Sequence, residues 1–198
     1  MNLRYQECAF SIPYERNNER NKLHKIVTSL LYETCNLSNR QFIFNIKLNE
    51  FVSISMQECK EYIVNVRAKK LDKSLHPWNK SISFERNMKM QLMVQLPCYK
   101  RVRGKEKYLE EYLWEDWFKQ YIERQGFHKI SIISSNRKNE LIFNHKLRNG
   151  SQGQHTFLIP AATFIFNASV FDEDKASSAW LNGIGRSKGF GFGLLEIL

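Results

Sequence analysis

Met88–Leu96 reads MKMQLMVQL, with apolar side chains at Met88, Met90, Leu92, Val94 and Leu96. That period of two predicts a β-strand with one buried face. After a basic stretch, the spacing of Leu109, Leu113, Trp117, Tyr121 and Ile122 predicts a helix from about Tyr108 to Gln125, with Gly126 as its stop. Strands are expected at Lys129 to Ser134, Glu140 to Leu147 and Thr156 to Val170. A short helix from Asp172 to Asn182 should end at Gly183, and a last strand should run from Phe190 to Ile197. This order, β-α-β-β-(β)-α-β, approaches the split β-α-β arrangement of ferredoxin-like domains.

The first half reads similarly. Leu3 to Ile12 is strand-like, and Glu19 to Tyr32 carries Leu23, Ile26, Val27, Leu30 and Leu31 at helical spacing, with Asn17 or Asn18 as a cap. Strand-like runs follow at Gln41 to Leu48, Phe51 to Ser55 and Tyr62 to Val66. The polar stretch KKLDKSLHPWNKS with Pro77 then suits a connection between domains. The expected fold class is α+β, two tandem ferredoxin-like (RRM-like) domains over residues 1–80 and 81–198. Such folds host many activities, so function has to come from the site.

The chain has 198 residues, 42% of them hydrophobic and 25% charged, which supports a packed core. Cys8, Cys35, Cys59 and Cys98 are scattered, with no CxxC pair, so they read as reduced thiols and not as zinc ligands or a disulfide framework. The N-terminus lacks the apolar run of a signal peptide, and no window is apolar for long enough to span a membrane, so a cytoplasmic location is expected. The formal charge of +10 favours polyanionic partners, although many basic proteins bind none.

Residues 183–193, GIGRSKGFGFG, hold five of the nine glycines (Gly183, Gly185, Gly189, Gly191 and Gly193) together with Arg186 and Lys188. Glycines permit positive φ and a close backbone approach, and exposed N–H groups with two cations suit phosphate. One or two glycines would suggest only a helix stop and a bulged strand. The loop follows a helix and opens a strand, the reverse of a P-loop or dinucleotide fingerprint.

With its two following leucines this segment, GIGRSKGFGFGLL, resembles the glycine-rich loop of CasE-type CRISPR precursor-RNA endoribonucleases, the repeat-processing subunits of Cascade in the RAMP superfamily. In the same order, ERNKLHKIVTSLL (19–31) resembles their first helix with its early histidine. RQFIFNI (40–46) resembles the next strand, and MQLMVQLPCYKRVRGKEK (90–107) the basic segment that opens their second domain. The resemblance implies binding of a CRISPR repeat RNA hairpin (crRNA) alongside other Cascade subunits. It also implies cleavage without metal or cofactor on the 3′ side of the stem, by attack of the ribose 2′-OH, leaving a 2′,3′-cyclic phosphate.

His24 matches the family's catalytic histidine in position and context. It sits at the margin of the apolar stripe, about 100° from Leu23, where a histidine without other support is a surface residue. Imidazole titrates near the working pH, which suits proton transfer. Family members often carry tyrosine three residues earlier, where this chain has Asn21. Tyr14, Lys22 or Lys25 could stand in, and an RNA-binding or structural subunit that does not cut is the alternative. His76, His128, His145 and His155 read as structural or surface residues.

Lys100, Arg101, Arg103, Lys105 and Lys107 crowd residues 100–107 with one acid. Side chains cannot easily read the major groove of A-form RNA, so a basic loop or hairpin here would contact phosphates and recognise duplex shape. A solvated loop is the plainer reading. The following helix is acidic and should face away from RNA. Carboxylate pairs at metal-binding spacing are missing, which argues against a two-metal nuclease.

Overall fold

In the computed structural model the described residues are 2–14, 20–35, 41–52, 58–102, 105–144 and 155–198. The first unit comprises β1 (Asn2–Pro13), α1 (Arg20–Cys35), β2 (Phe42–Val52), β3 (Glu58–Ala68) and β4 (Trp78–Ser83). Its sheet has the order β2-β3-β1-β4, all antiparallel. The amphipathic stripe of α1 buries Leu23, Val27 and Leu31 against Cys8, Ile12, Phe42, Phe44, Ile46, Val64 and Val66. Burial pushes the Cys8 thiol up to about 11, keeping it protonated and inert.

The second unit comprises β5 (Lys89–Pro97), β6 (Tyr99–Val102), β7 (Lys105–Tyr108), α2 (Trp114–Glu123), β8 (Phe127–Asn144), β9 (His155–Val170), α3 (Glu173–Asn182) and β10 (Glu196–Ile197). Its main sheet runs β10-β5-β9-β8, and β6 and β7 pair only with each other. Leaving that hairpin aside, both sheets follow the ferredoxin-like order: two such units in tandem. In the first, a 3-10 turn at Lys73–Leu75 occupies the place of the second helix, with the Asp72 carboxylate accepting from the Ser74 N–H at 2.8 Å.

Several expected elements differ in extent. The runs 41–48 and 51–55 join into one strand reaching Val52, because Asn49 and Glu50 pair with Glu61 and Lys60 and do not turn. Likewise the run 129–134 and residues 140–144 of the run 140–147 belong to the single strand β8, which crosses irregularities between His128 and Ser131 and between Ile132 and Ser134, while 145–147 lie outside the described residues. Part of the polar connection is β4, an edge strand with mostly exposed residues and hence no apolar alternation to read. Helix α2 begins at Trp114, since Tyr108 ends β7 and residues 111–113 form a 3-10 turn; Trp114 and Phe118 join Ile122 as its buried residues. The final strand shrinks to Glu196–Ile197, because glycine conformations and a 3-10 turn occupy the stretch before it. The Asn17 or Asn18 cap lies outside the described residues.

The two units share one core. Tyr5, Ile82 and Phe84 pack in the same cluster as Leu92, Phe118, Phe166 and Trp180. Arg67 of β3, buried at 3% exposure, donates to the carbonyls of Trp180 at 3.0 Å and Leu195 at 2.9 Å and pairs with Glu7 at 2.7 Å. Its guanidinium carbon lies 3.8 Å from the centroid of the Trp180 ring. A buried charge costs stability unless its donors are satisfied, and these partners satisfy it. Arg67 thereby holds the chain just before and just after residues 183–193.

Candidate nucleic-acid interface

Residues 183–193 form a clasped loop. The Ile184 N–H donates to the Gly193 carbonyl at 2.9 Å, and the Gly193 N–H donates to Gln95 of β5 at 2.9 Å. Gly193 has φ +85°, and a side chain there would run into the Ile184 carbonyl, so glycine is required on both counts. Within the loop, the N–H groups of Phe190 and Gly191 bond to the carbonyls of Ser187 and Lys188. Four N–H groups that the sequence offers to phosphate are thus used internally, and the glycines shape the loop more than they cradle an anion. Gly183 ends α3, and Gly185 lies beside Leu96 with its backbone hydrogen-bonded to Tyr121. Gly191 and Gly193 line a cleft of about 310 Å³ between the two sheets, with Asn45, Gln95 and Thr163.

The loop's far side rests on His24. A Cβ on Gly189 would lie 3.2 Å from His24 Cε1 and 3.6 Å from Nε2, so only glycine permits this approach without displacement. The imidazole is stacked on Phe44, with centroids 6.2 Å apart and planes at 7°, and tilted against Phe190 at 5.6 Å. Its Nδ1 lies 3.2 Å from the Thr28 hydroxyl, one helical turn on. Burial, and secondarily the charge of Lys25, hold the His24 pKa below its ordinary value, which favours neutral imidazole at pH 7. Lys188, next to Gly189 and partly buried, is made more acidic by desolvation.

Among the stand-ins for the absent tyrosine, Lys25 acts on the His24 charge. Tyr14 packs against Tyr62 with ring centroids 5.5 Å apart, and Lys22 is exposed. Asn21 lies in the first turn of α1.

Of the two forms open to the basic segment, loop or hairpin, the structure has the hairpin, a two-stranded ribbon. Lys100 faces Lys107, Arg101 faces Glu106, and Val102 faces Lys105. Lys100 and Lys107 are exposed, and like charges directly opposite are destabilising unless a polyanion relieves them. Arg103 lies outside the described residues. The ribbon leaves β5 through Cys98, two residues beyond Leu96, whose side chain adjoins Gly185. The loop thus adjoins the end of β5 from which the ribbon departs, and it also abuts His24. Arg186 is exposed on the loop.

A profile of CRISPR associated proteins matches residues 9–198, nearly the whole chain. The chain belongs to the CRISPR-associated protein family. Its fold resembles that of the CRISPR endoribonuclease Cse3 bound to a 19-nucleotide RNA, at 15% identity and TM-score 0.67 over 99% of this chain and 100% of that one. It also resembles Thermus thermophilus Cse3 bound to an RNA representing a pre-cleavage complex, at 14% identity and TM-score 0.64 over 99% of each chain. A chain of a CRISPR RNA-guided surveillance complex matches at 18% identity and TM-score 0.59, over 96% of this chain and 97% of that one. At these identities the likeness is one of fold. No curated protein matches by sequence. No helix among the described residues of this CRISPR-associated chain is long and apolar enough to cross a membrane.

Sequence reasoning missed Thr28, Phe44 and Phe190 as the surroundings of His24. Thr28 was within reach of it, since residues four apart share a helix face. The two aromatics come from distant segments, and only the fold brings them together.

Proposed function

We propose that the chain is an endoribonuclease that binds a CRISPR repeat hairpin, cuts at the base of its stem and retains the product within an RNA-guided complex. The observation that carries this reading is the seating of the glycine-rich loop on His24, which joins a proton-transfer group to a basic surface from opposite ends of the chain. Family membership and a fold like that of RNA-bound endoribonucleases support it.

The nucleophile belongs to the substrate, so the protein need only orient it and move protons. Neutral His24 accepts the 2′-OH proton at Nε2 while Thr28 holds Nδ1. The O2′–P bond forms as the P–O5′ bond breaks. Lys188, acidified by burial, donates a proton to the departing O5′, giving a 2′,3′-cyclic phosphate and a 5′-OH. Nothing in these steps needs a metal, and incubation with repeat RNA in EDTA should still give one discrete product. Asn21 at the family's tyrosine position favours a second reading, a subunit that binds the hairpin without cutting. Tight binding with no product, with or without magnesium, would establish that alternative.

Thr28→Val should slow single-turnover cleavage on the order of tenfold, the worth of one hydrogen bond. Hairpin affinity should stay unchanged, and Thr28→Ser should restore the rate. In the basic segment, neutralising Lys100, Arg101 and Arg103 together should flatten the salt dependence of binding by roughly 0.7–0.9 in log–log slope per lost phosphate contact. An unchanged slope would place the RNA elsewhere.

A further inference from the structure

A second basic surface lies outside the residues assigned above. Arg4 of β1, Lys69 and Lys70 after β3, and Lys80 of β4 line a cleft of about 1150 Å³ that also includes Gln41 and Asn182. Among the described residues no carboxylate lines it. Among the described residues none of the four cations is held in an ion pair. The nearest acid in sequence, Asp72, accepts from the Ser74 N–H and feels the charge of Lys70 without forming an ion pair with it.

The cleft continues into a smaller hollow through Tyr5 and Lys80, which line both, and this hollow includes Trp78. Trp78 is 55% exposed and lies two residues before Lys80 on the edge strand β4, so both side chains project from one face. The acids lining the hollow, Glu7 and Glu196, are paired with Arg67 and Lys47. A positively charged groove beside an exposed aromatic ring is the arrangement that holds single-stranded nucleic acid, with phosphates along the cations and a base on the ring. The volume exceeds the usual 300–1000 Å³ or so of a small-molecule site. Continuity with the first site comes through α3: Asn182 lines the cleft, and the next residue, Gly183, begins the loop.

We infer that this cleft and Trp78 bind an unpaired RNA strand continuous with the hairpin, adding affinity and fixing which side of the stem is presented to the loop. The inference rests on the hairpin-binding reading and is separable from it. The test compares a bare hairpin, the same hairpin with a short uridine extension on its 5′ or its 3′ side, and the short strand alone. The partners are the wild-type chain, Trp78→Ala and the double variant Lys69→Glu, Lys70→Glu, each checked for native thermal unfolding.

One extension should tighten wild-type binding roughly tenfold, as stacking of one base predicts. Each variant should lose that gain while holding the bare hairpin as the wild type does. The strand alone should bind weakly, and less in the variants. Failure to hold the bare hairpin would overturn the hairpin reading, yet the strand alone would still test the cleft. Absence of any gain, or a gain that survives both variants, would overturn the inference and leave the β4 edge to a protein partner.

Discussion

His24→Ala should lower the single-turnover cleavage rate by about 10²–10⁴ while leaving hairpin affinity within a few-fold, because positioned proton transfer acts on the transition state and not on ground-state binding. The ring's surroundings sharpen the expectation. Phe44 and Phe190 confine it, Thr28 engages Nδ1, and burial keeps it neutral, so Nε2 beside Gly189 is left as the accepting atom. A lowered pKa means that neutral imidazole persists below the ordinary histidine value of about 6.5. The wild-type rate should therefore stay level through neutrality and fall only as acid protonates His24, and the variant should lack that limb. The same sign governs stability: a folded pKa below the unfolded one gives stability present at neutral pH and lost on acidification. Thermal unfolding between neutrality and mild acid should accordingly be less pH-dependent in His24→Ala. Wild-type cleavage by the variant would remove His24 from the mechanism.

The elements that bury one clean face were legible in the sequence. Alternation exposed β5, and the 3.6-residue stripe exposed α1, whose Leu23, Val27 and Leu31 are fully covered. Elements without a repeating apolar side were not legible. The edge strand β4 passed for a connection because it carries no apolar alternation, and the basic segment reads equally as a loop or a hairpin because its run of cations carries none either. At the site, His24 and the glycines were found as residue types in a familiar order. Their contact was not, since no local pattern records that α1 and the last segment of the chain pack together. The misjudged point is the role of the loop's amides. Composition can count glycines, but only the fold shows that the N–H groups of Ile184, Phe190, Gly191 and Gly193 are already committed.

Those commitments allow the loop's architecture to be separated from its part in cleavage by two alanines. Gly193→Ala should destabilise the whole protein. Left-handed backbone costs an ordinary residue about 1–2 kcal/mol, and the added Cβ would also force apart the clasp between Ile184 and Gly193. A total near 2 kcal/mol corresponds to a fall in Tm of at least about 4 °C for a chain of this size. Cleavage should fall with it, because the clasp ties the loop to Gln95 and, through the adjoining Leu195 carbonyl, to Arg67. Gly189→Ala should do the opposite. No positive φ is required there, and the new methyl meets only the edge of the His24 ring at 3.2 Å, tight enough to shift the imidazole by a few tenths of an ångström. Tm should remain near wild type while the cleavage rate drops, since a small misplacement of a proton acceptor is costly in the transition state. Calorimetry and single-turnover cleavage on both variants decide the matter. A Gly193→Ala protein with native Tm would show that the clasp contributes nothing to the fold, and a Gly189→Ala protein that cuts normally would show that the loop does not hold His24 in place.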